Sequence, residues 1–174
     1  LYICYDNEAY MNTGVQRSSA TPPAARTNTT MPVGDSSGAR FGQGKNLPLI
    51  AMAHEIPYVA TATVAELRDL EAKVRRAMEF RGARYIHVLV PCPLGWGHGS
   101  AETIRMARLA QQTGLFPVFE AEHGEITSVS KIRRQLPVDV QGGDAGRMLV
   151  VARPGKLQVG SPQLLSPRRD HAES

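Results

Sequence analysis

The chain has only two cysteines, Cys4 and Cys92, in 174 residues. Two cysteines cannot form a disulfide framework, and a reducing cytoplasm is the expected location. No apolar run approaches the roughly 20 residues that cross a bilayer as a helix, so no membrane association is expected. No basic stretch precedes an apolar one near the start, which argues against a secretory signal peptide. Aromatic residues make up 6% of the chain. No Lys/Arg run is interleaved with them, as a base-stacking groove would require, and no nucleic-acid partner is expected. The net charge of +4 is modest and reads as a mildly basic surface. The remaining composition, 42% hydrophobic and 21% charged, is that of a globular domain long enough to hold a real core.

The most informative stretch lies almost at the start. Residues 1–4 are apolar and read as a buried strand. Asp6, Asn7 and Glu8 stand at its carboxyl end, followed by Asn12, Thr13 and Gly14. Ligands of open α/β sheets bind just beyond the carboxyl ends of strands. Asparagine side chains and freed backbone carbonyls are hard oxygen donors, suited to a Mg²⁺ that also holds a phosphate. On the bare residues, a polar strand-to-loop turn explains Asn7-Glu8-Ala9 equally well.

Residues 17–46 are rich in Ser, Thr, Pro, Gly and Ala and read as loop. Loops of this length in compact domains are often functional. A short helix is expected over 48–54, with Pro48 early where a missing N–H costs little. A strand is expected over 56–61. Thr63 and Glu66 then fit a capping box opening a helix. Val64, Leu67, Leu70, Val74 and Ala77 form its apolar stripe, with Glu71 or Met78 as alternates, and Gly82 is its expected cap. Arg68, Lys73, Arg75 and Arg76 read as a solvated face. A second strand is expected over 85–90, ending at Pro91. Strand, helix and strand together make the βαβ unit of a parallel sheet. Further on, Ser100 is the expected N-cap of a helix to about Thr113, with Ile104, Ala107 and Ala110 or Gln111 on one face and Gly114 beyond its end. Residues 116–122 read as a strand, and Pro117 suggests an edge. His54, His87 and His123 are isolated in the sequence and receive no role.

A second unusual stretch follows the second strand: Pro91, Cys92, Pro93, Leu94, Gly95, Trp96, Gly97, His98. Three functional possibilities stand beside a small buried hydrophobe in a turn, the usual fate of a free cysteine. One is a thiolate paired with His98, although such partners rarely sit six apart in one loop. Another is a complete metal site, which the absence of a Cys-x-x-Cys disfavours. The third is one thiolate given to a cluster whose other ligands lie elsewhere. His98 reads as a surface or turn residue.

The run from Asp6 to Gln16, continued by Ser18, Ser19, Ala20, Thr21 and Pro22, resembles the thiamine-diphosphate domain of the 2-oxoacid:ferredoxin oxidoreductases, most closely their beta subunits. The resemblance extends to about Asp139. It implies an α/β fold, a partial thiamine-diphosphate-binding domain with a mainly parallel sheet flanked by helices. It implies that Asn7 and the Ala9 carbonyl hold Mg²⁺, and that Asn12 lies beside the reactive thiazolium. Tyr10, Met11 and Thr13 would join Asn7, Ala9 and Asn12 in binding the cofactor. Cys92 would be the distant ligand of a 4Fe-4S cluster, in the segment Cys-Pro-x-Gly-Trp. The family's Gly-Asp-Gly motif and its other cluster cysteines are not found here, so a fragment lacking the N-terminal part is expected, inactive by itself. The implied activity is oxidative decarboxylation of pyruvate, with coenzyme A as acceptor and ferredoxin taking the electrons. An aromatic 2-oxoacid of the phenylglyoxylate type is the alternative substrate, and an inactive remnant or interaction piece the alternative role. Implied partners are alpha-, gamma- and delta-type subunits. Lys131, Arg133 and Arg134 read as solvated, with a docking surface for acidic ferredoxin as the alternative. Residues 140–174, rich in Gly and Pro, read as a divergent tail of low order.

Overall fold

A computed structural model describes residues 1–22, 25, 27–29 and 44–132, together with the strand pairs at 138–139 and 151–152. The central sheet has five strands: β1 (Tyr2–Asp6), β2 (Tyr58–Thr63), β3 (Arg84–Leu89), β4 (Phe119–Glu122) and β5 (Glu125–Val129). Their spatial order is β1-β3-β2-β4-β5. Strands β1, β3 and β2 are parallel, as the α/β reading expects, whereas β4 and β5 form an antiparallel hairpin beside β2. The helices are α1 (Leu47–Ala53), α2 (Leu67–Glu79), a short α3 (Pro93–Trp96) and α4 (Thr103–Gln112), the last preceded by a 3-10 turn at Ser100–Glu102.

All six residues of β2 are buried, as befits a strand covered on both faces. Under α2, Tyr58, Ala60, Ala62, Ile86 and Val88 pack with Leu70, Val74 and Ala77. On the opposite face, Ala51 of α1 meets Val59, Phe119 and Ala121. Beside them, Met106 and Ala110 of α4 pack with Leu89, Trp96 and Met11. The crossover β2-α2-β3 is the expected βαβ unit.

Several local expectations are corrected. The opening strand is not buried: β1 lies at the sheet edge among the described strands, with Tyr2 66% and Tyr5 71% exposed. The capping box does not form. Thr63 is still in β2, paired with Leu89, and its hydroxyl accepts from the N–H of Ala65 at 3.1 Å. Helix α2 therefore starts at Leu67 and turns Leu67 outward. It ends at Glu79 with Phe80 as its cap, before Gly82, whose φ of 89° serves the following turn. Lys73 is not solvated; it is 2% exposed and bonded to Asp69 at 2.6 Å. Ser100 caps no α-helix, because the 3-10 turn intervenes, and α4 buries Met106 rather than Ile104. Pro117 precedes β4, which is flanked by β2 and β5 and so is no edge. Helix α1 does start as expected, with Pro48 in its first turn and Asn46 accepting from the N–H of Leu49 at 3.0 Å. Lys131 is exposed, while Arg133 and Arg134 lie outside the described residues. So does most of the expected low-order tail; within it, Val151–Ala152 pairs with Val138–Asp139.

Candidate functional site

The site grows out of the end of β1. Asp6 closes the parallel ladder against Leu89, and its carbonyl accepts from the N–H of Val90 at 2.8 Å. The chain then turns sharply, with Glu8 at φ 69°. A left-handed conformation in a non-glycine residue needs holding. The Glu8 N–H donates to Asp6 Oδ1 at 2.6 Å, and the buried Thr21 hydroxyl donates to the Glu8 carbonyl at 2.6 Å. Residues 10–16 double back as a small hairpin, in which Tyr10 and Gln16 exchange two 3.0 Å backbone bonds.

This places the expected cofactor residues in two groups. Asn7, Ala9 and Met11 are held within the protein. Tyr10, Asn12 and Thr13 are exposed on the hairpin, where the Thr13 hydroxyl donates to Gln16 Oε1 at 2.6 Å. Asn7 Oδ1 accepts one long bond, from the N–H of Ala9 at 3.3 Å. Among the described residues the Ala9 carbonyl accepts none. Both oxygens keep lone pairs free, so the donor set fits a hard cation such as Mg²⁺.

Cys92 is half-buried and stands at the start of α3, against the cluster that contains Met11, Leu89 and Trp96. His98 does not activate it. The His98 Nδ1 donates to the Gly99 carbonyl at 2.8 Å, and its buried Nε2 has no partner among the described residues. Among the described residues no three His, Cys, Asp or Glu side chains gather as a metal-holding group. Cys92 is thus a free, half-buried thiol.

A titratable group that sequence reading left without a role joins the site. His87 is buried, its Nε2 donating to Asp6 Oδ2 at 2.9 Å and its Nδ1 accepting from the Tyr85 hydroxyl at 2.7 Å. Burial, and then the hydrogen bond with Cys4, push the Tyr85 phenol up. Glu8 was also overlooked as a buried acid. It is 8% exposed, and its Oε2 has no hydrogen-bond partner among the described residues. Burial, and then the nearby Asp6 carboxylate, raise its pKa to about 8. A pocket of about 350 Å³ opens here, lined by Asp6, Glu8, Lys45, Thr61, His87 and Phe116. No local sequence signal marks His87, because its partner Asp6 is 81 residues away. Among the described residues no helix is long and apolar enough to cross a membrane.

Residues 1–88 match the model of the thiamine pyrophosphate enzymes' C-terminal TPP-binding domain. The chain is 50% identical over 138 residues to pyruvate synthase subunit PorB of Methanosarcina barkeri, covering 79% of this chain and 46% of that protein. It is 48% identical over 125 residues to ketoisovalerate oxidoreductase subunit VorB of Pyrococcus abyssi, covering 72% of this chain and 40% of that protein. The chain thus spans about half the length of the curated relatives it matches. A solved 2-oxoglutarate:ferredoxin oxidoreductase from Magnetococcus marinus aligns at a TM-score of 0.45 and 23% identity, over 60% of this chain and 33% of that one.

Proposed function

Because the chain belongs to the family of thiamine pyrophosphate enzymes, through their C-terminal TPP-binding domain, we propose that it supplies part of the cofactor site of a 2-oxoacid oxidoreductase. Pyruvate is the substrate this reading favours, since pyruvate synthase subunits are among its relatives at up to 50% identity. The observation that carries it is the pair of open oxygens, Asn7 Oδ1 and the Ala9 carbonyl, at the carboxyl end of a parallel strand.

Thiamine diphosphate, when bound, would supply a thiazolium whose carbanion is the nucleophile towards a 2-oxoacid and whose ring is the electron sink for decarboxylation. Asn7 Oδ1 and the Ala9 carbonyl would hold a Mg²⁺, which would supply positive charge for the cofactor's diphosphate. Asn12, with Tyr10 and Thr13 on the exposed hairpin, offers polar contacts to the cofactor, and Met11 forms an apolar base. Cys92 would be one thiolate ligand of a 4Fe-4S cluster, a group that would supply electron transfer, and on this reading ferredoxin is the electron acceptor and coenzyme A the acyl acceptor. The remaining cluster ligands and the rest of the pocket come from other polypeptide segments or subunits.

The test is calorimetric titration of the chain with thiamine diphosphate and Mg²⁺, beside Asn7→Ala. Binding that the substitution weakens about tenfold or more supports the assignment. Binding that it leaves unchanged removes Asn7 from the site, and no binding by the unaltered chain counts against the assignment.

A further inference from the structure

The two stretches singled out in the sequence touch one another. Trp96 is 1% exposed, and its Nε1–H donates to the Asn7 carbonyl at 3.1 Å, across 89 residues of sequence. The acceptor is free because the β1 ladder ends at Asp6. A buried indole N–H needs such a partner. Asn7 C=O and Glu8 N–H belong to one peptide unit. Trp96 holds its oxygen, and Asp6 Oδ1 holds its nitrogen at 2.6 Å. That plane orients the Asn7 Cα, from which its side chain leaves, and the start of the turn that leads on to Ala9.

Two further contacts reinforce the link. A side chain at Gly95 would overlap the Met11 sulfur, so α3 and the loop approach as closely as glycine allows. Cys92 packs against the same cluster as Met11 and Trp96.

We propose that Trp96 is a positioning residue: its indole fixes the Asn7–Glu8 peptide plane and makes the Cys92 segment and the Asn7 loop move as one unit. Whatever constrains Cys92 then constrains the loop, and the reverse holds equally, because such coupling is reciprocal. The meaning for the cofactor rests on the reading of Asn7 and Ala9 above; the mechanical link does not.

Trp96→Phe keeps the ring and removes the donor. Amide hydrogen exchange at Glu8, Ala9, Tyr10 and Met11 should quicken about tenfold, the scale of one hydrogen bond opened locally. Iodoacetamide labelling of Cys92, read on its own peptide, should quicken with it, while β2 amides change less than about twofold. Unchanged loop exchange, or loop exchange that rises only in step with β2, overturns the proposal. Where Trp96→Phe does not fold, the unaltered chain carries the test: alkylation of Cys92 must speed exchange at those four amides, and an unchanged rate overturns the link. Failure of the Asn7 assignment shows separately, as unaltered thiamine diphosphate binding in Asn7→Ala with loop exchange still responding to Trp96→Phe.

Discussion

Beneath α2 the sheet buries Tyr58, Ala60, Ala62, Ile86 and Val88 against an apolar helix face, whereas its opposite face, between α1 and α4, carries Thr61, His87, Asp6 and Glu8. The first region draws its stability from area removed from water, which tolerates small shifts of geometry. The second adds individual bonds to its own apolar clusters. Thr61 donates to the Pro117 carbonyl and accepts from the N–H of Phe119, both at 2.8 Å. His87 bridges Asp6 and Tyr85. Among the described residues Glu8 Oε2 has no hydrogen-bond partner. A buried acceptor without a donor costs stability. The left-handed Glu8 and Val15 (φ 56°) sit in this same region. The apolar face is a frame, and the polar face is where the fold departs from its stability optimum, as functional regions do.

The largest blow to this division is a cavity in the frame. Ile86 is fully buried, and Ile86→Ala should cost about 2–5 kcal/mol in a urea unfolding curve. Both regions should unfold together at the lower midpoint. If the site loops survive the loss of the frame, the two are not one cooperative unit.

Changing pH probes the polar region instead. The Glu8 pKa lies near 8 in the fold against an ordinary value of 4.5. The folded state therefore retains a proton that the unfolded chain releases. This stabilisation is fully present below pH 4.5 and is lost as pH rises through about 8. Urea midpoints should fall across that window, by a few kcal/mol at most in free energy, and Glu8→Gln should flatten the slope. A midpoint equally pH-dependent in Glu8→Gln would move the cause elsewhere.

The smallest effect is expected outside both regions. Arg75 and Glu71 pair at 2.7 Å on the exposed side of α2, with side chains 78% and 62% exposed. Arg75→Ala should shift stability by no more than about 0.5 kcal/mol. A larger change would mean that the outer face of α2 is engaged by more than solvent.

The frame was largely legible from the residues. Leu70, Val74 and Ala77 recur at helical spacing, and the β-branched and aromatic runs on either side are strands. The boundaries were less so. Thr63 carries a capping signature, but its backbone is committed to the ladder with Leu89, so the helix waits for Leu67. The strand Glu125–Val129 escaped notice because all five of its residues are exposed, leaving no alternation between a buried and a solvated face. In the site, the Asn7 loop and Cys92 both stood out by local composition. His87 and Glu8 did not, since what matters about each is burial and a distant neighbour.

By itself, the sequence determined the order of strand, helix and strand, the polar turn after β1 and the glycine-lined cysteine segment. These follow from preferences that act over a turn or less of chain. Only the tertiary structure decided that β1 lies at an edge, that Glu8 is buried, that His87 reaches Asp6 and that Trp96 grips Asn7. The reason is physical: strand register brings side chains 81 and 89 residues apart within hydrogen-bonding distance, and no local preference encodes that distance.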